Sequence, residues 1–160
     1  MRNFYLLILV IFSFQSMGNE YYIDKFEFKW VITEKSKASL AVIKTDETTY
    51  LRLTTKGTTY NQIRLTEHEA KEISTVLKKT REYFNIQKGS KKEVSEKLVA
   101  ADYEVSFKSS PKYGFSVYIR KKSGLFFEAL VLDKEEAIYL QPYLEQAAEL
   151  INFVDKKISI

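Results

Sequence analysis

The residues with which this sequence could do acid–base chemistry are few: one histidine, His68, and three strand-borne carboxylates, Asp102, Glu104 and Glu128. Zinc sites draw their ligands from several His and Cys side chains. The chain has no cysteine and a single histidine, so neither a metal nor another cofactor is expected. His68 stands between Glu67 and Glu69 at the opening of a helical stretch, where its imidazole is expected to be solvated. Two carboxylates facing each other across a cleft can work as acid and base on a glycosidic bond. Acids are also ordinary on the water-facing side of a strand. No Gly-rich phosphate loop, nucleophile elbow or calcium-loop spacing accompanies Asp102, Glu104 and Glu128. A small hydrolase using them is the third reading, behind two binding readings, and the leading expectation is a protein that is not an enzyme.

Tyrosine and arginine carry both binding readings. Tyr50, Arg52 and Thr54 alternate along one expected strand, Tyr60, Gln62 and Arg64 along the next, and Tyr118, Arg120 and Lys122 along a third. Side chains two apart on a strand share a face. The candidate binding residues are therefore Tyr50, Arg52, Tyr60, Arg64, Tyr118, Arg120 and Lys122. Rings and guanidinium groups side by side suit a protein or peptide partner. The same groups could stack bases and hold phosphates, so a single-stranded nucleic-acid-binding module is the alternative. Thr, Tyr, Arg and Lys also make up ordinary solvated sheet faces.

The elements that must position these side chains follow a leader-like segment. Met1-Arg2-Asn3 precedes the unbroken apolar run Phe4–Phe12, and Ser16-Met17-Gly18 supplies small residues for cleavage. This is the layout of a secretory signal, with cleavage expected after Gly18. The run is too short to cross a bilayer, which takes about 20 apolar residues, so no span is expected to survive cleavage. Residues 19–160 are then read as a single exported domain, periplasmic or secreted. The whole chain carries a formal net charge of +4, too mild by itself to imply nucleic acid or an anionic surface.

Strands are expected over Phe26–Thr33, Leu40–Ile43, Tyr50–Thr54, Tyr60–Leu65, Tyr103–Phe107, Phe115–Arg120 and Leu125–Leu132. In the first of these, Phe26, Phe28, Trp30 and Ile32 are expected to share a half-buried face. Lys88–Lys97 reads as a polar connector and Val94–Ala101 as a weak strand. Thr66 and Asp133 each stand three residues before an acid, Glu69 and Glu136, the signature of a capping box. Helices are expected from these caps to about Ile86 and about Lys156. Both helices carry two adjacent apolar stripes, one for a sheet and one for the sister helix, or alternatively for a second copy of the chain.

The two halves, about 26–88 and 98–157, superpose without a gap at a shift of 67 residues from Gly57 onward, and upstream of it the frame slips by a residue or two. Gly57 then falls on Gly124, Thr66 on Asp133, Glu69 on Glu136, Ile73 on Leu140 and Leu77 on Leu144. The expected fold is therefore α+β: an antiparallel sheet with two helices on one side, from tandem β-β-β-(β)-α repeats. Lys56-Gly57, followed by Ile63-Arg64-Leu65-Thr66-Glu67-His68-Glu69, resembles the last strand-to-helix junction of the positive-cofactor-type transcriptional coactivators. The tandem arrangement is similar to that of the Whirly family. The resemblance implies a ββββα architecture, and single-stranded nucleic acid as the ligand of the sheet.

Overall fold

The computed structural model describes residues 25–57, 61–123 and 129–158. The leader-like segment, Tyr60, Gly124 and Glu128 lie outside them. The first half contains β1 (Glu27–Lys35), β2 (Ala38–Thr45), β3 (Thr49–Thr55), β4 (Asn61–Leu65), α1 (Glu67–Leu77) and α2 (Thr80–Gln87). The second contains β5 (Val94–Ala100), β6 (Tyr103–Ser110), β7 (Gly114–Lys121), β8 (Ala129–Leu132), α3 (Lys134–Glu145) and α4 (Ala147–Lys157). The strands make two four-stranded antiparallel sheets, ordered β1-β2-β3-β4 and β5-β6-β7-β8. The protein is of the α+β class.

Alternation along the strands sorts their side chains onto two faces. In the first sheet Leu40, Leu53 and Ile63 lie opposite one another, as do Val42, Leu51 and Leu65. In the second, Val117 faces Leu132, and Ile119 lies between Val105 and Leu130. All of these are buried in one core with Ala70, Ile73, Leu77, Ala137, Leu140, Leu144 and Val154 from the helices. Helix α1 packs on α3 and reaches β5 and β6 of the other sheet, whereas α4 lies against β2 and β3. Each half thus lends a helix to the sheet of the other.

The caps form as the sequence reading expects. Thr66 and Asp133 each accept from the backbone of the acid three residues on, and the acids reach back to the cap N–H groups. Glu136 does more than Glu69. Its Oε2 accepts from Asp133 N and its Oε1 from Lys37 N, both at 2.9 Å, and it is buried. This ties α3 to the β1–β2 turn across the two halves. The tight turns Ser36-Lys37 and Ala101-Asp102 place Ser36 (φ 52°) and Ala101 (φ 49°) in the left-handed region.

Several local expectations change. Each expected helix is two shorter helices joined at a bend, at Lys78-Lys79 and at Gln146. Apolar periodicity continues through a bend, so it does not reveal one. Val94–Ala100 is a full strand, not a connector or a weak strand, with every residue in register on β6. As an edge strand it needs apolar residues on one side only, and its charges there guard the free edge. β1 is an edge strand too, and most of it is exposed. A register shift between Val31 and Thr33 puts Thr33, rather than Ile32, opposite Leu40. Phe28 and Trp30 remain 41% and 36% exposed at that edge, so the face is only loosely covered.

Candidate functional site on the outer sheet faces

The side chains that turn away from the core converge on one motif in each sheet. On β3, Tyr50 and Arg52 point outward beside Arg64, which pairs with Arg52 across to β4. On β7, Tyr118 and Arg120 point outward beside Glu104 and Ser106 of β6. A Tyr-X-Arg step therefore occupies the third strand of both sheets, and each arginine meets a glutamate of its own sheet.

In the first sheet the motif is closed. Arg52 makes a bidentate pair with Glu27, Nη1 to Oε1 and Nη2 to Oε2, both at 2.8 Å. Its Nη2 also donates to the Tyr50 hydroxyl at 2.9 Å. The Arg64 guanidinium lies 5.2 Å from the centre of the same ring. Arg52 and Arg64 stand directly opposite, a destabilising arrangement for like charges. Glu27 and the ring between them offset that repulsion. Tyr50 is consequently buried, joining Ala41 and Ile43 in a small second core on the outer side. Tyr50 and Arg52 alternate outward as the sequence reading has it, but they are engaged within the chain and do not form an open platform. Arg64 is exposed. The hydrogen bond from Arg52 holds the Glu27 carboxyl below its ordinary value, against the opposing effect of burial. The same hydrogen bond raises the Arg52 guanidinium.

In the second sheet the motif is open. Tyr118 is half-buried, with Lys108 Nζ 4.5 Å from its ring centre, a cation–π contact. Arg120 is exposed and stands 3.6 Å from Glu104, which Lys97 also approaches, at 3.3 Å. Partial burial favours the neutral Glu104 carboxyl, but Lys97, Ser106 and Arg120 outweigh it and hold the carboxyl below its ordinary value. A carboxyl held ionised by two cations is a poor general acid. Asp102 lies in the exposed β5–β6 turn, apart from this cluster. Lys122 serves that turn: its N–H donates to Asp102 O at 2.8 Å and its Nζ to Ala101 O at 3.2 Å. His68 is exposed on the first turn of α1.

Beside Tyr118 the face deepens into a cleft of about 470 Å³, whose lining includes Lys108, Ser110, Lys112, Tyr113, Ser116 and Tyr118. Tyr113 is 75% exposed and carries Lys112 4.9 Å from its ring centre. The structure thus sets Arg120 in one cluster about Glu104 and Tyr118 in another at the cleft, and adds to them Lys97, Lys108, Lys112 and Tyr113. Sequence reasoning passed over the last four. The alternation Ser106, Lys108, Ser110 along β6 was a usable signal for Lys108. Tyr113 sits in a turn, where period-two reasoning has nothing to say.

No protein-family model matches the chain, and no curated protein matches its sequence. Among the described residues, no helix is long and apolar enough to cross a membrane.

Proposed function

We propose that this is an exported, non-enzymatic protein that holds a protein or peptide partner against the outer face of its β5–β8 sheet. The observation that carries the reading is the open Tyr118–Arg120 face and its cleft, with Tyr113 projecting at the rim. Val99 and Val131, both exposed, add apolar area on the same side of the sheet. Charges of both signs line the face, with Glu104 between Lys97 and Arg120. A mixed polar and aromatic surface of this kind matches a polypeptide, which offers donors, acceptors and apolar side chains together. A polyphosphate strand would have to compete with Glu27 and Glu104 for the two motif arginines, which makes nucleic acid the weaker reading. Export rests on the Arg2, Phe4–Phe12 and Ser16-Met17-Gly18 pattern.

We also infer that the two halves descend from one ββββα unit, as in the Whirly-like arrangement. The matching strand orders and the caps 67 residues apart support this, as does the Tyr-X-Arg step on both third strands.

Affinity purification of wild type and of Tyr118→Ala with Arg120→Glu, from extracts of the compartment the leader addresses, tests the binding reading. A polypeptide recovered with wild type and lost with the double variant is expected, with no retention of single-stranded oligonucleotides. Equal recovery by both proteins overturns it. Oligonucleotide binding that weakens steeply with salt would favour the nucleic-acid reading instead.

A further inference from the structure

The edge of the first sheet carries a feature that the partner-binding face does not explain. Trp30 of β1 and Phe153 of α4 pack with ring centres 4.8 Å apart, yet they are 36% and 46% exposed. Phe28, two residues before Trp30 on the same side of β1, is 41% exposed. Three large aromatic rings therefore lie open to water on one margin of the fold. Exposed rings grouped in this way are an amphipathic margin open to a further contact.

The acids of α4 and β1 nearest the rings are paired, except for Glu149, one turn before Phe153. Asp155 is neutralised by Lys44 at 3.1 Å and also accepts from Thr49 at 2.6 Å. Glu27 is held by Arg52. Lys156 and Lys157, on the last turn of α4, take part in no salt bridge among the described residues. Lys157 lies 5.8 Å from the Phe153 ring centre, its stem along the patch and its ammonium at the rim. The margin is aromatic at its centre and basic where α4 ends.

We propose that the cluster of Phe28, Trp30 and Phe153, rimmed by Lys156 and Lys157, seats on an anionic lipid surface. Aromatic side chains favour the boundary between headgroups and acyl chains, and basic side chains beside them are drawn to anionic headgroups. The patch is too small for a stable dimer. Exposing about 40% of three rings that each present about 200 Å² leaves about 250 Å² of apolar surface. A standard interface needs about 800 Å² from each partner. Peripheral lipid contact needs less area and gains from the lysine rim.

Trp30 is the only tryptophan in the chain, so its fluorescence reports this patch and nothing else. The full chain is titrated with vesicles of phosphatidylglycerol and phosphatidylcholine, and with phosphatidylcholine alone. Trp30 emission is expected to shift to shorter wavelength on the anionic vesicles only, and to be quenched by lipids brominated near the headgroup. Salt at about 1 M, where the Debye length is about 3 Å, should reverse the shift. Lys156→Gln with Lys157→Gln should weaken vesicle binding about tenfold by this readout, with the circular dichroism unchanged. Unaltered Trp30 emission on anionic vesicles overturns the proposal, even if the protein sediments with them through another segment. A lipid-independent shift that grows with protein concentration and accompanies a dimer mass also overturns it, and makes a second copy the occupant.

Discussion

Ser74 of α1 and Gln141 of α3, sixty-seven residues apart, exchange two hydrogen bonds across the centre of the molecule. Ser74 Oγ donates to the Gln141 carbonyl at 3.1 Å and accepts from Gln141 Nε2 at 2.9 Å. One turn further along, Lys78 of α1 meets Glu145 of α3, again sixty-seven residues away. Positions that match in the gapless superposition therefore touch one another where the two helices cross.

Because Ser74 is buried, its hydroxyl has no water to fall back on. Ser74→Ala is expected to lower stability by about 1 kcal/mol, the net worth of a typical buried hydrogen bond. Lys78→Ala, which removes an ion pair between half-exposed partners, should cost less than that. Urea midpoints for the two variants check the order.

The two capping acids should differ in a graded way. Glu69 closes a cap near the surface, so Glu69→Ala is expected to cost about 1 kcal/mol. Glu136 in addition receives the Lys37 N–H in a buried site, and its loss strands two backbone donors. Glu136→Ala should cost about 2–4 kcal/mol. Equal thermal midpoints for the two variants would show that the link between α3 and the β1–β2 turn contributes nothing.

A pH dependence follows from Glu27. Arg52 holds its folded-state carboxyl below the ordinary value of 4.5. The ion pair therefore contributes fully above that value and is lost as pH falls through the folded one. Glu27→Gln should be less stable than wild type at pH 7, and the gap should close in strong acid. Solvent screening of the half-exposed Glu27 keeps the gap to about 1 kcal/mol or less. Urea titrations of both proteins across the acid range measure it.

Ala101 holds a left-handed backbone conformation, φ 49°, in the β5–β6 turn. Its Cβ crowds a carbonyl there, a strain of about 1–2 kcal/mol that glycine relieves. Glycine returns part of that gain through a freer unfolded chain, so Ala101→Gly should stabilise by about 0.5 kcal/mol. A lowered melting temperature would contradict this.

Much of the fold was legible because it is written in local periodicity. The alternation in β2 and β3 and the two capping boxes require only neighbouring residues to be read. The bends at Lys78-Lys79 and Gln146 were not legible, since a helix that turns a corner keeps its apolar spacing. Tyr50 and Arg52 show the limit for the site. Their outward alternation is real, but Arg64 of the neighbouring strand β4 and Glu27, which reaches over β2 from β1, close over them, and no local pattern announces that. Tyr118 and Arg120 carry the same step and stay open because Glu104 is shared between Lys97 and Arg120 rather than clamped to one guanidinium.

The central claim, that the outer face of the β5–β8 sheet holds a polypeptide, is tested most directly by a photo-crosslinking amino acid placed in the full chain within cells that make it. Incorporated at Tyr118 or at Ser116, it is expected to give one discrete protein adduct. Incorporated at Glu149 on the exposed side of α4, it should give none. No adduct from the sheet positions, or the same adducts from all three, would contradict the account.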